Sequence, residues 1–105
     1  MRIAIDYDDT YTINPEMWDE IIEVMRKYDC SVACVTSRRK TFDNIKELSD
    51  ATGLSVVCCD YNAKADVMSE LGLRVDVWID DNPYCIDPDG KHQPAKYREW
   101  EARGE

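Results

Sequence analysis

The chain has 105 residues, 44% of them hydrophobic and 33% charged, with a formal net charge of -9. This length builds one core and leaves no room for a second, so residues 1–105 are read as a single domain, and the composition excludes a disordered chain. The acidic balance excludes a general binder of nucleic acid or anionic membrane, since phosphate backbones demand Lys and Arg; a small phosphate stays possible where a metal and a few bases converge.

In chain order, the apolar run Arg2–Asp6 predicts a first strand ending in acids. Asn14-Pro15 is an N-cap followed by Pro at the first helical position, and Trp18, Ile21, Ile22, Met25 and Tyr28 fall at helical spacing, so a helix is predicted over Glu16–Tyr28. Its charges Glu16, Asp19, Glu20 and Glu23 read as a wet face. Ser31–Val35 is a second strand, closed by Thr36-Ser37. Thr41 caps a second helix carrying Phe42, Ile45 and Leu48 and ending near Gly53. Leu54–Cys59 is a third strand, Ala65–Leu71 a short helix stopped by Gly72, and Arg74–Ile79 a fourth strand closed by Asp80-Asp81-Asn82-Pro83. Pro88-Asp89-Gly90 reads as a turn, and Ala95–Ala102 as a terminal helix in which Tyr97 and Trp100 pack back.

Strands alternating with helices imply crossover connections and a mostly parallel sheet covered on both faces, an α/β three-layer, Rossmann-like domain. In such sheets sites form beyond the carboxyl ends of the strands. The polar residues gather there: Asp6-Tyr7-Asp8-Asp9-Thr10, Thr36-Ser37-Arg38, Asp60 and Asp80-Asp81. No run is long and apolar enough to span a membrane, and the first strand meets Asp6 too early for a signal peptide. The five Cys form no CxxC pair and are odd in number, which fits a reducing cytoplasmic setting with thiols serving as buried small apolar groups. Zinc is disfavoured, since the single His is His92 and the spacing matches no standard ligand set.

Asp6 and Asp8 stand two apart at a strand end, which sends their side chains to one side if the strand persists. Carboxylates so close repel, and a hard divalent cation relieves the repulsion. Asp80 and Asp81 can complete an oxygen shell suited to Mg²⁺ with water and substrate phosphate. A carboxylate nucleophile that forms an aspartyl-phosphate is a known covalent strategy, helped by a metal and a nearby Lys.

These segments resemble, in order, the four motifs of the haloacid dehalogenase superfamily. Ile3-Ala4-Ile5-Asp6-Tyr7-Asp8-Asp9-Thr10 is similar to the strand followed by DxDxT, with Asp9 where a Gly is common. Val32-Ala33-Cys34-Val35-Thr36-Ser37-Arg38 is similar to the strand ending in Thr or Ser, Lys64 to the lysine before a helix, and Val77-Trp78-Ile79-Asp80-Asp81 to the paired-acid motif. The resemblance implies a sheet in the order 4-1-2-3 and a magnesium-dependent phosphatase. Asp6 would be the nucleophile and a metal ligand. Asp8 would be the general acid and base, reaching the metal through its backbone carbonyl. Thr36 would bind the phosphoryl oxygens, Lys64 would pair with them and with Asp6, Asp80 would be a metal ligand, and Asp81 would support the metal shell. An acid at Asp8 favours phosphate chemistry over dehalogenation. The short stretches Thr10–Pro15 and Asp60–Lys64 leave no room for a cap domain, and the open site that results is expected to accept a large substrate or to be sheltered in a homodimer.

Ser37 and Arg38 join Thr36 as candidate substrate contacts. Arg38-Arg39-Lys40 reads either as a solvated loop or as a basic lip for a second phosphate or a nucleotide. Tyr7 and Tyr11 can touch substrate or serve packing. The expected function is hydrolysis of a small phosphorylated substrate, with a nucleotide or nucleic-acid end phosphate preferred. The alternatives are transfer to an acceptor other than water and a non-hydrolytic module that keeps magnesium and phosphate binding for regulation or partner binding.

Overall fold

The structure, a computed structural model, describes residues 1–92. The predicted terminal helix Ala95–Ala102 lies outside the described residues. Four strands, β1 (Arg2–Ile5), β2 (Ser31–Thr36), β3 (Ser55–Cys58) and β4 (Val77–Ile79), form one parallel sheet in the order β3-β2-β1-β4. Three α-helices, α1 (Pro15–Lys27), α2 (Phe42–Thr52) and α3 (Lys64–Glu70), connect them. The fold is the expected α/β three-layer domain. No helix among the described residues is long and apolar enough to cross a membrane.

Strand alternation divides the core between the two faces of the sheet. Ile5, Cys34, Val56 and Ile79 face Ile22 and Trp18 of α1 and Leu48 of α2. Ala4, Val35, Val57 and Trp78 face Val67 and Met68 of α3. The central strands are buried on both sides, which is why they read as continuous apolar runs. Burial pushes the Cys34 thiol up to about 12 and Cys59 up to about 11, so these thiols act as apolar filling.

The helix ends follow their sequence signals. Asn14 Oδ1 accepts from Met17 N at 3.2 Å with Pro15 next, and Thr41 Oγ1 accepts from Asn44 N at 3.1 Å. Gly53 closes α2 in the left-handed region at φ 69°. The fourth strand is shorter than the predicted Arg74–Ile79. Arg74-Val75-Asp76 alternates like a strand, but β1 begins at Arg2, and the Asp76 N–H donates to the Arg2 carbonyl at 2.8 Å. No β1 residue remains for Arg74 and Val75 to pair with.

Candidate active site

The carboxyl ends of β1 and β4 are adjacent because those strands are neighbours, with Ile5 opposite Ile79. Asp6 follows Ile5 and stays in the sheet, its N–H donating to the Ile79 carbonyl at 2.9 Å. Asp80 follows Ile79 at the matching level. Lys64 arrives from the other face as the first residue of α3, whose start is tied down where Ala65 N donates to the Ile86 carbonyl at 2.9 Å.

The Lys64 ammonium sits between two acids, donating to Asp6 Oδ1 at 2.9 Å and to Asp80 Oδ2 at 2.6 Å. The side chains are nearly sealed from solvent: 2% exposed for Lys64, 10% for Asp6 and 3% for Asp80. Burial would push the Lys64 ammonium down, but its hydrogen bonds to Asp80 and Asp6 hold it above its ordinary value, so it stays charged. Burial raises the Asp6 carboxyl, and Lys64 pulls in the opposite direction without cancelling it. The hydrogen bond with Asp6 lowers Asp81, helped by Thr10.

Thr10 closes the group. Its hydroxyl lies 3.2 Å from Asp6 Oδ2 and 3.1 Å from Asp81 Oδ1, and it accepts from Asp81 N at 3.1 Å. Its carbonyl is held in turn by the Trp18 indole N–H at 3.0 Å, which fastens the loop to α1. Sequence reading placed Thr10 inside a motif without assigning it this work. Asp9, where the motif often has Gly, stands at φ 60°; Asp is among the residues that tolerate this left-handed region.

Asp6, Asp80 and Asp81 each present a carboxylate oxygen, all within 4.8 Å of one another. Asp6 and Asp80 share one ammonium in a nearly sealed place, and the exposed Asp81 adds a third carboxylate at its rim, which leaves negative charge unbalanced. A hard divalent cation with oxygen ligands fits both the donor set and the charge.

Thr36 and Asp8 lie on the neighbouring side. Thr36, 1% exposed at the end of β2, accepts from Arg38 N at 3.2 Å, and its O–H has no acceptor among the described residues. Ser37 is half-buried, and its carbonyl takes the Tyr61 N–H at 2.8 Å. The Asp8 carboxylate stands apart from the three-acid cluster. Arg38 grips it with a two-pronged fork, Nε to Oδ2 at 2.9 Å and Nη2 to Oδ1 at 2.8 Å. Nη1 of the same guanidinium reaches Glu47 and Asn44 of α2, and the Tyr7 ring lies 5.3 Å beneath it. Tyr7 is therefore a platform for Arg38, while Tyr11 is core: it is buried, stacks on Tyr7, and donates its O–H to Asp19 or Ala51.

The structure thus brings Asp6, Lys64, Asp80 and Asp81 into one cluster and sets Thr36 at the neighbouring strand end. Asp8 and Arg38 are coupled to each other. The roles of Thr10, Asn44 and Glu47 were not read from sequence, and of the two roles open to Tyr7 the structure shows packing, beneath Arg38. A groove of about 710 Å³ between α3 and Trp78 contains none of the acid cluster, whereas a smaller cleft of about 350 Å³ is bordered by Asp80, Asp81 and Thr10. Comparison of the chain with family models, curated proteins and solved structures finds no match.

Proposed function

We propose that this chain is a magnesium-dependent phosphomonoester hydrolase working through a phospho-aspartate. The observation that carries the reading is the buried Asp6 carboxylate, sharing one ammonium with Asp80 at a strand end and joined to Asp81 through Thr10. The ordered resemblance to the haloacid dehalogenase motifs supports the same reading. Asp6, Asp80 and Asp81 would hold Mg²⁺, which supplies positive charge where the phosphoryl group accumulates negative charge.

In the first step an Asp6 oxygen attacks phosphorus, the bond from phosphorus to the leaving oxygen breaks, and Asp8 gives that oxygen a proton. In the second step Asp8 takes a proton from water as the water oxygen attacks phosphorus. The bond to Asp6 breaks, releasing inorganic phosphate and restoring both acids. Lys64 offsets charge throughout, and the O–H of Thr36 donates to a phosphoryl oxygen. The preferred substrate remains a nucleotide or nucleic-acid end phosphate. Arg38 is engaged by acids, so the basic support for that choice rests on Arg39 and Lys40, neither of which forms an ion pair among the described residues.

The test is release of phosphate from p-nitrophenyl phosphate with Mg²⁺ and after chelation, using the wild type and Asp6→Asn. The variant is expected to lose roughly a thousandfold or more in kcat, in keeping with the loss of a catalytic nucleophile, and acid quenching is expected to trap phosphate on the wild type alone. Equal turnover by both would remove Asp6 from the chemistry. Magnesium binding without turnover would establish the non-hydrolytic module instead.

A further inference from the structure

We infer that Arg38 is a positioning residue for Asp8, itself set in place by Glu47 and Asn44 of α2; this rests on the hydrolase reading above. Its surroundings leave it little freedom to act as a substrate-phosphate receptor. One edge of the guanidinium is spent on both Asp8 oxygens, at 2.9 and 2.8 Å. The remaining nitrogen is spent on Glu47 and on Asn44 Oδ1 at 3.3 Å, and the flat face rests over Tyr7. The backbone is fixed too: Arg38 N donates to Thr36 Oγ1 at 3.2 Å, and the Arg38 carbonyl accepts from Asp60 N at 3.1 Å.

Asp8 needs such a guide. Its side chain is 50% exposed and follows the end of β1 in a turn, so no surrounding apolar wall selects its rotamer. A planar fork fixes both the position and the plane of a carboxylate, which a point charge such as Lys does not do. Proton delivery to a leaving oxygen depends on that aim. Asn44 is held from its other side, donating Nδ2–H to the Arg39 carbonyl at 2.9 Å, so α2 and the loop after β2 brace one another around the guanidinium. The chain of support runs from Glu47 and Asn44 to Arg38 and then to Asp8. α2 thereby belongs to the catalytic unit although none of its residues reaches the acid cluster.

A positioning role and a phosphate-receptor role predict opposite kinetics. Arg38→Lys keeps the charge and loses the fork. It is expected to lower kcat by roughly ten- to a hundredfold with KM changed less than about twofold. Glu47→Gln is expected to lower kcat in the same direction by roughly three- to tenfold. The double variant is expected to be no worse than Arg38→Lys alone, because Glu47 acts through Arg38. In NMR spectra of the magnesium-free protein, the Arg38 Nε–H resonance is expected to move in both Asp8→Asn and Glu47→Gln, a readout independent of turnover. The inference is overturned if Arg38→Lys raises KM at constant kcat, if Glu47→Gln tightens substrate binding by releasing the arginine, or if the two effects multiply. A wild type without phosphatase activity overturns the hydrolase reading itself, a result distinct from an active enzyme whose kcat ignores Arg38→Lys.

Discussion

The two ends of the same sheet carry the same kinds of groups and use them differently. At the carboxyl end, Lys64 is sealed between Asp6 and Asp80 with its side chain 2% exposed. At the amino end, Arg74 faces Asp76 at 3.5 Å with its side chain 90% exposed, and Asp76 accepts from Arg2 N at 2.8 Å. Ion pairs in water exchange one good solvation for another and gain little. Removed from water, they depend on each other entirely, and losing one partner strands the rest. The amino end is a surface stitch; the carboxyl end gathers three carboxylates around one ammonium, a surplus of negative charge that a cation can offset.

The largest effect is expected from Lys64→Met. It nearly keeps the side-chain volume but leaves Asp6 and Asp80 without their shared donor. Without divalent cations at neutral pH, it is expected to lower unfolding stability by about 3–5 kcal/mol in urea denaturation. Adding Asp80→Asn to that variant is expected to restore part of the loss, because fewer unpaired charges remain. A loss below about 1 kcal/mol for the single variant would erase the contrast between the two ends. Next in size is the response to metal. Mg²⁺ at a hundred times its Kd is expected to stabilise the wild type by about 2.7 kcal/mol, through preferential binding to the folded chain. The shift in Tm is expected to vanish in an Asp80→Asn/Asp81→Asn double variant and after chelation. A magnesium-induced shift that survives in the double variant would place the ion elsewhere.

Much of this contrast was legible in the sequence. The apolar runs marked the strands because burial on two faces removes polar alternation, and the acids lay at the tips of those runs, whereas Lys64, which opens α3, was singled out by motif resemblance. The adjacency of β1 and β4, which makes Asp6 and Asp80 neighbours, came from motif resemblance, since periodicity carries no information about strand order. Thr10 could not be read as a bridge, because its partner Asp81 lies 71 positions away, just past the end of β4. Glu47 was equally hidden: its position on α2 marks it as solvated, and only the approach of the loop after β2 gives it Arg38 as a partner. Asp19 shows the same limit in milder form, exposed on the wet face of α1 as expected yet accepting the Tyr11 hydroxyl at 2.6 Å. Arg74-Val75-Asp76 misled in the other direction, because alternation records what a strand could do and not whether a partner extends far enough to pair with it.

The smallest effect is expected at the amino end, and its pH dependence has a definite sign. The Arg2 backbone N–H, then the nearby Arg74 charge, hold the Asp76 carboxyl below its ordinary value of 3.8. A depressed folded value means the unfolded chain binds this proton more readily, so stability rises with pH across the interval between the two values. The contribution of Asp76 is complete above the ordinary carboxylate range and is lost as pH falls through the depressed value. Asp76→Asn is therefore expected to cost a little at pH 7 and less at pH 2, whereas Arg74→Ala is expected to fall within about 0.5 kcal/mol of wild type at either pH, as exposed substitutions do. Thermal unfolding of the chelated protein at the two pH values measures both. A penalty for Asp76→Asn that persists undiminished at pH 2 would show that the side chain joins Arg2 to the start of β4 by shape and not by charge, and the two ends of the sheet would then differ in kind rather than in degree of burial.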